Sequence, residues 1–152
     1  MLNKFGLSIY ISTFDEQKEM LDRFTGSGYY VFTSFHMQEE YNSIDDYCIR
    51  AKELCYWLKE RNFKIIGDVS TKTLDFFEYK SIIEFAKDFS LDILRLDYGF
   101  SDDEILSISK EFPISFNPST EDDILAKKIL DRGMEVFALH NFYPRPETGL
   151  DP

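Results

Sequence analysis

Short apolar runs rich in β-branched and aromatic residues alternate with charged, helix-periodic segments along almost the whole of this 152-residue chain. No other feature limits the fold so strongly. Phe5–Ser12 reads as a strand. In the next segment, Phe14–Phe24, Met20, Leu21 and Phe24 fall at helical spacing, and Gly26 and Gly28 close it. Tyr29–His36 is a second strand, and Met37–Asn42 a polar connection. Ser43 opens the clearest helix, where Tyr47, Ala51, Leu54, Cys55 and Leu58 form one apolar face and Asn62 ends the run. Phe63–Ser70 is the third strand, Thr71–Phe89 a helix, and Leu91–Tyr98 the fourth strand. Ser101–Glu104 carries a capping-box pattern, with Ile105, Ile108 and Phe112 as the buried stripe behind it. Pro113–Pro118 is the fifth strand, Thr120–Arg132 the fifth helix, and Met134–His140 the sixth strand.

Strands and helices in this order imply an α/β chain with a parallel sheet and right-handed crossovers. Two architectures fit: an open doubly wound sheet, or part of an eight-fold barrel. A glycine-rich phosphate fingerprint would follow the first strand of a nucleotide-binding sheet, but Ser12-Thr-Phe-Asp15 stands there. The expectation is therefore a parallel (β/α) barrel of TIM type, incomplete at six strands and five helices. A full barrel takes about 250 residues. Residues 1–152 read as its N-terminal part and one structural unit, with strands seven and eight and a C-terminal domain absent. The first and sixth strands would then offer open edges for self-association.

Hydrophobic residues make up 43% and aromatics 16%, enough for a large core. A net charge of −11 disfavours nucleic acid and anionic membrane surfaces as partners. The two cysteines, Cys48 and Cys55, lie about 10.5 Å apart along one helix, too far for a disulfide. They read as small apolar residues of a reducing compartment. With no leader-like segment and no apolar run of membrane-spanning length, the expected location is cytoplasmic.

Parallel strands deliver functional groups at their carboxyl ends, and those ends are polar here. The second strand ends in Ser34-Phe-His36, the third in Asp68-Val-Ser70, the fourth in Arg95-Leu-Asp97 and the fifth at Asn117. The sixth runs into His140-Asn-Phe-Tyr-Pro-Arg-Pro-Glu-Thr-Gly-Leu150. That last stretch places His140, Asn141, Tyr143, Arg145 and Glu147 within eight positions. Pro144 and Pro146 stiffen it and bias the residues before them to be extended.

Strand alternation puts Arg95 and Asp97 on one face, and likewise Asp68 with Ser70 and Ser34 with His36. Plain alternatives stand beside each functional reading. Arg95 with Asp97 or Asp68 makes a structural ion pair, Asp68 caps the next helix, and His36 bonds backbone at a strand end. A metal-assisted hydrolase would gather His36, Asp68, Asp97 and His140 and would be sensitive to chelators, but no tight ligand motif supports it. Neither a metal nor another cofactor is called for. Two carboxyls flanking a scissile bond suit glycoside hydrolysis, and Asp68, Asp97 and Glu147 are the rim carboxylates. Arg95 beside Asp97 would favour its charged form and a nucleophile or base role, leaving Glu147 as the freer acid.

The final block resembles the signature of a bacterial family of intracellular 6-phospho-N-acetylmuramidases, phosphosugar glycosidases of peptidoglycan recycling formerly labelled outer surface proteins. Asp68-Val-Ser70 before Thr71-Lys-Thr-Leu74, and Arg95-Leu-Asp-Tyr-Gly-Phe-Ser101, are similar to two further family blocks. Leu7-Ser-Ile-Tyr10 and Phe32-Thr-Ser-Phe-His36 fit its first two strands. The resemblance implies a TIM-type barrel followed by a small β-rich domain. It also implies hydrolysis of a disaccharide bearing N-acetylmuramic acid 6-phosphate. The expected catalytic groups are Asp97, Glu147 and Asp68. His36, Arg95, Asn117, His140, Asn141, Tyr143 and Arg145 are expected to bind this phosphorylated amino-sugar disaccharide.

Overall fold

The computed structural model describes residues 6–36, 43–97, 99–116 and 120–138. The elements run β1 (Gly6–Ile9), α1 (Phe14–Asp22), β2 (Tyr30–Ser34), α2 (Ile44–Glu60), β3 (Lys64–Val69), α3 (Thr71–Phe76) and α4 (Ile82–Asp88). They continue with β4 (Ile93–Leu96), α5 (Asp102–Ile108), β5 (Ile114–Phe116), α6 (Thr120–Leu130) and β6 (Val136–Ala138). The strands form one six-stranded parallel sheet in the order β1-β2-β3-β4-β5-β6. The order never reverses, so the sheet has no switch point of the doubly wound kind. With right-handed crossovers, such a consecutive order puts the helices on one face.

Two details depart from the sequence reading. The strands are shorter than the apolar runs that suggested them. The expected single helix over 71–89 is also two helices, giving six among the described residues. The chain breaks because Glu78 takes a left-handed φ of 59° after α3, and Ser81 then starts a new helix by accepting from the Glu84 backbone N–H. The pattern Ser-x-x-Glu at 81–84 is itself a start signal. Asn62 ends α2 with a φ of 62°, a conformation asparagine tolerates better than most residues.

Side-chain alternation splits the sheet into two faces. Val31, Phe35, Ile65, Val69, Leu94 and Ile114 are buried and belong to the hydrophobic core. Helix α2 contributes Tyr47, Ala51, Leu54, Cys55 and Leu58 to that core, the five positions its periodicity singled out. Gly67 shares this face because a Cβ there would lie 2.5 Å from Leu91 Cδ1 and 3.2 Å from Phe35 Cε2. Neither cysteine is bonded; burial pushes the Cys55 thiol up to about 12 and raises that of Cys48. Among the described residues, no helix is long and apolar enough to cross a membrane.

Helix α2 starts where Ser43 Oγ accepts from the Asp46 backbone N–H at 3.1 Å. That bond satisfies one of the donors left over at a helix start. Ser43→Ala should lower stability by about 1 kcal/mol, read as a shift of the urea midpoint, whereas Ser43→Gly should cost only a few tenths. No loss in Ser43→Ala would show that the hydroxyl plays no capping role.

Candidate active site at the strand ends

The face opposite the helical core carries the polar groups. Register places Ser34 of β2 beside Asp68 of β3, Asp68 beside Arg95 of β4, and Arg95 beside Ser115 of β5. Parallel pairing keeps laterally paired residues on the same side, so the four form one row across the sheet. His36 and Asp97 each lie two residues further along their strands, at the rim. The Asp97 backbone N–H donates to the Val69 carbonyl at 2.8 Å, which extends the β3–β4 ladder past Leu96.

These side chains form a line of alternating charge. His36 Nε2 lies 3.5 Å from Asp97 Oδ2 and 3.3 Å from Asp68 Oδ2. On the other side of Asp68 Oδ2, Arg95 Nη1 lies at 3.4 Å, with its guanidinium 5.8 Å from the Phe32 ring centroid. Exposure graduates along the line: the side chain of Asp68 is 7% exposed, that of His36 25% and that of Asp97 34%. Asp97 is therefore the carboxylate that solvent or a ligand reaches most readily. The Asp68 carboxylate beside Nε2 raises the His36 pKa above its usual value. The charge of Asp97 adds to the rise, while partial burial and Arg95 oppose it.

The local chain holds His36 in place. Its N–H donates to Ser34 Oγ at 3.3 Å, and Tyr47 Oη donates to its carbonyl at 2.9 Å. Sequence reasoning assigned Tyr47 to the core and missed this second contact. An (i, i+4, i+7) pattern identifies a buried face but not a hydroxyl at its edge. Ser115 was missed as well: it is 1% exposed, and its Oγ has no hydrogen-bond partner among the described residues.

The structure decides two alternatives that the sequence left open for this row. Arg95 makes its ion pair with Asp68 and not with Asp97, because the register puts Asp68 and Arg95 side by side. Asp68 does not cap the next helix; that cap is Ser70, which forms a reciprocal capping box with Thr73 at the start of α3. Six further predicted site residues, Asn117, His140, Asn141, Tyr143, Arg145 and Glu147, lie outside the described residues.

His36, Asp68 and Asp97 bring donor atoms within 4.8 Å of one another, close enough to meet at a cation. Arg95 weighs against that use, since its permanent charge already pairs with the Asp68 carboxylate. A separate cavity of about 450 Å³ opens on the helical side, lined by residues that include Cys48, Lys52, Tyr79 and Phe89. Its phenol is engaged, because Tyr79 Oη donates to Asp88 Oδ2 at 2.8 Å.

A parallel α/β chain with a charged cluster at the carboxyl ends of its strands has its candidate site where such proteins bind ligands. Residues 5–152 match the family described as 6-phospho-N-acetylmuramidase, N-terminal, and the chain belongs to that family. No curated protein sequence matches it. Its fold is similar to the crystal structure of a conserved protein of unknown function from Enterococcus faecalis, with a TM-score of 0.72 and 23% identity. That match covers 97% of this chain and 42% of the Enterococcus chain, so this chain spans less than half the length of that protein. A glycerol uptake operon antiterminator regulatory protein from Listeria monocytogenes matches with a TM-score of 0.43 and 9% identity, over 90% of this chain and 82% of its own.

Proposed function

We propose that the chain is the N-terminal part of a TIM-type barrel. It works there as a cytoplasmic glycoside hydrolase on a 6-phosphorylated, N-acetylmuramic acid-containing disaccharide in peptidoglycan recycling. The observation that carries this reading is Asp97. In a chain of the 6-phospho-N-acetylmuramidase family, it is the rim carboxylate at the end of β4, and an imidazole backed by a buried carboxylate and a guanidinium holds it.

Asp97 acts as the nucleophile. Its carboxylate oxygen bonds to the anomeric carbon as the glycosidic carbon–oxygen bond breaks, and the leaving oxygen takes a proton from an acid. Glu147 is that acid. Water then attacks the same carbon, gives its proton to Glu147 and releases Asp97. Asp68 is too buried to reach the sugar well and serves by holding His36. Asn117, His140, Asn141, Tyr143 and Arg145 complete the sugar and phosphate contacts.

Incubating the chain with the 6-phosphorylated muramyl disaccharide, with the unphosphorylated disaccharide beside it, tests the reading. The phosphorylated sugar should be cleaved, and the other should react at least about tenfold more slowly, because a polar subsite built for a missing group is left unpaired. Equal rates for the two sugars would overturn the proposal, whereas no cleavage by a demonstrably folded sample would mean that essential groups lie in the rest of the barrel.

A further inference from the structure

His36 stands between two carboxylates that reach it from neighbouring strands. We propose that His36 is a positioning residue for the proposed hydrolysis. In its protonated form it bridges Asp68 and Asp97 through Nε2 and keeps Asp97 aimed at the rim. The inference rests on the glycosidase reading above, but its structural half stands on geometry alone.

Nε2 lies 3.3 Å from one Oδ2 and 3.5 Å from the other, so a single ring nitrogen faces both acceptors. A neutral imidazole protonated at Nδ1 would turn a lone pair towards two anions, and one protonated at Nε2 would offer an N–H but no positive charge. A protonated imidazole turns an N–H towards them instead. It also places a positive charge between carboxylates that otherwise repel each other. The backbone of His36 is pinned at its N–H by Ser34 and at its carbonyl by Tyr47. The ring is therefore delivered from a fixed strand end, and a fixed bridge can orient what it touches.

Among the described residues, the charged groups that act on His36 are Asp68 from β3 and Arg95 and Asp97 from β4. The phenol of Tyr47 from α2 reaches its carbonyl. The two carboxylates favour the imidazolium, while Arg95 and partial burial oppose it, and the balance lies with the carboxylates. The charged bridge is thus present below the His36 pKa, and its positive charge is lost as pH rises through it. Activity that depends on the bridge should fall on the alkaline side at that point.

The chain has two histidines, His36 and His140. Imidazole NMR titration of the intact chain therefore gives two curves, and His140→Gln assigns them. His36 should titrate above the usual value of about 6.5. Asp68→Asn and Asp97→Asn should each lower it, the first by more, and Arg95→Gln should raise it. The alkaline limb of kcat/KM on the phosphorylated disaccharide should move in the same directions for Asp68→Asn and Arg95→Gln. His36→Gln keeps a side-chain N–H donor without the charge, and it should lose that limb and run slower at every pH below it. A purely structural histidine would not produce opposite shifts from Asp97→Asn and Arg95→Gln. The bridge is overturned if wild-type His36 titrates at or below 6.5, or if Asp97→Asn leaves its titration unmoved. Should the two disaccharides be cleaved at equal rates, the glycosidase reading falls while the titrations still decide whether the bridge exists.

Discussion

Asp97→Asn should lower cleavage of the phosphorylated disaccharide by on the order of 10²-fold or more, equivalent to about 2.7 kcal/mol or more of lost transition-state stabilisation. The substitution preserves shape and keeps an oxygen facing His36 while removing the charge that attacks the anomeric carbon. The backbone bond from Asp97 to Val69 involves the peptide N–H and survives the change. The fold should therefore persist, as an unchanged circular dichroism spectrum and melting midpoint would show. The loss should lie in kcat, because an interaction made only as the bond forms is missing. A loss confined to KM would make Asp97 a binding group. Near-normal turnover by a well-folded variant would remove it from the chemistry and shift attention to Glu147 and Asp68.

How far the sequence could anticipate this site depends on which physical rule was asked to supply it. Strand alternation is a local property, so it put His36 with Ser34 and Asp97 with Arg95 without any knowledge of neighbouring strands. Parity says which face a side chain takes, but not which rung lies beside it. Register is a long-range property, and only the β3–β4 pairing of Asp68 with Arg95 decides that the guanidinium belongs to the buried carboxylate. The helix over 71–89 shows the same division. Its apolar spacing continues through Phe89 and suggested one helix, yet Ser81 and Glu84 carried a start signal within it. The conflict was settled by Glu78, whose left-handed backbone no periodicity announces. The parallel α/β class, in contrast, followed from the alternation of strands and helices, which is local.

The largest loss of stability should come from a residue far from the chemistry. Phe85 in α4 is 0% exposed and stacks on Phe89 at 4.6 Å between ring centroids. It also meets Phe35 edge-on at 5.2 Å, Tyr79 at 5.3 Å and Phe77 at 5.5 Å. Aromatic pairs of this kind add to the gain from burial alone. Phe85→Ala would empty the middle of the cluster and should cost about 3–5 kcal/mol, a large part of the roughly 5–15 kcal/mol that holds an ordinary domain together. Chemical denaturation measures it, with Ile49→Ala on the exposed side of α2 expected within about 0.5 kcal/mol of wild type. A loss below about 1 kcal/mol would mean that these rings are not packed as described. The effect should also reach the site. Phe35 directly precedes His36 and is buried in this cluster, so the rings behind the sheet set where β2 ends. A Phe85→Ala chain that still folds should therefore hold His36 less firmly, and the His36 imidazole should titrate closer to its usual value than in the wild type.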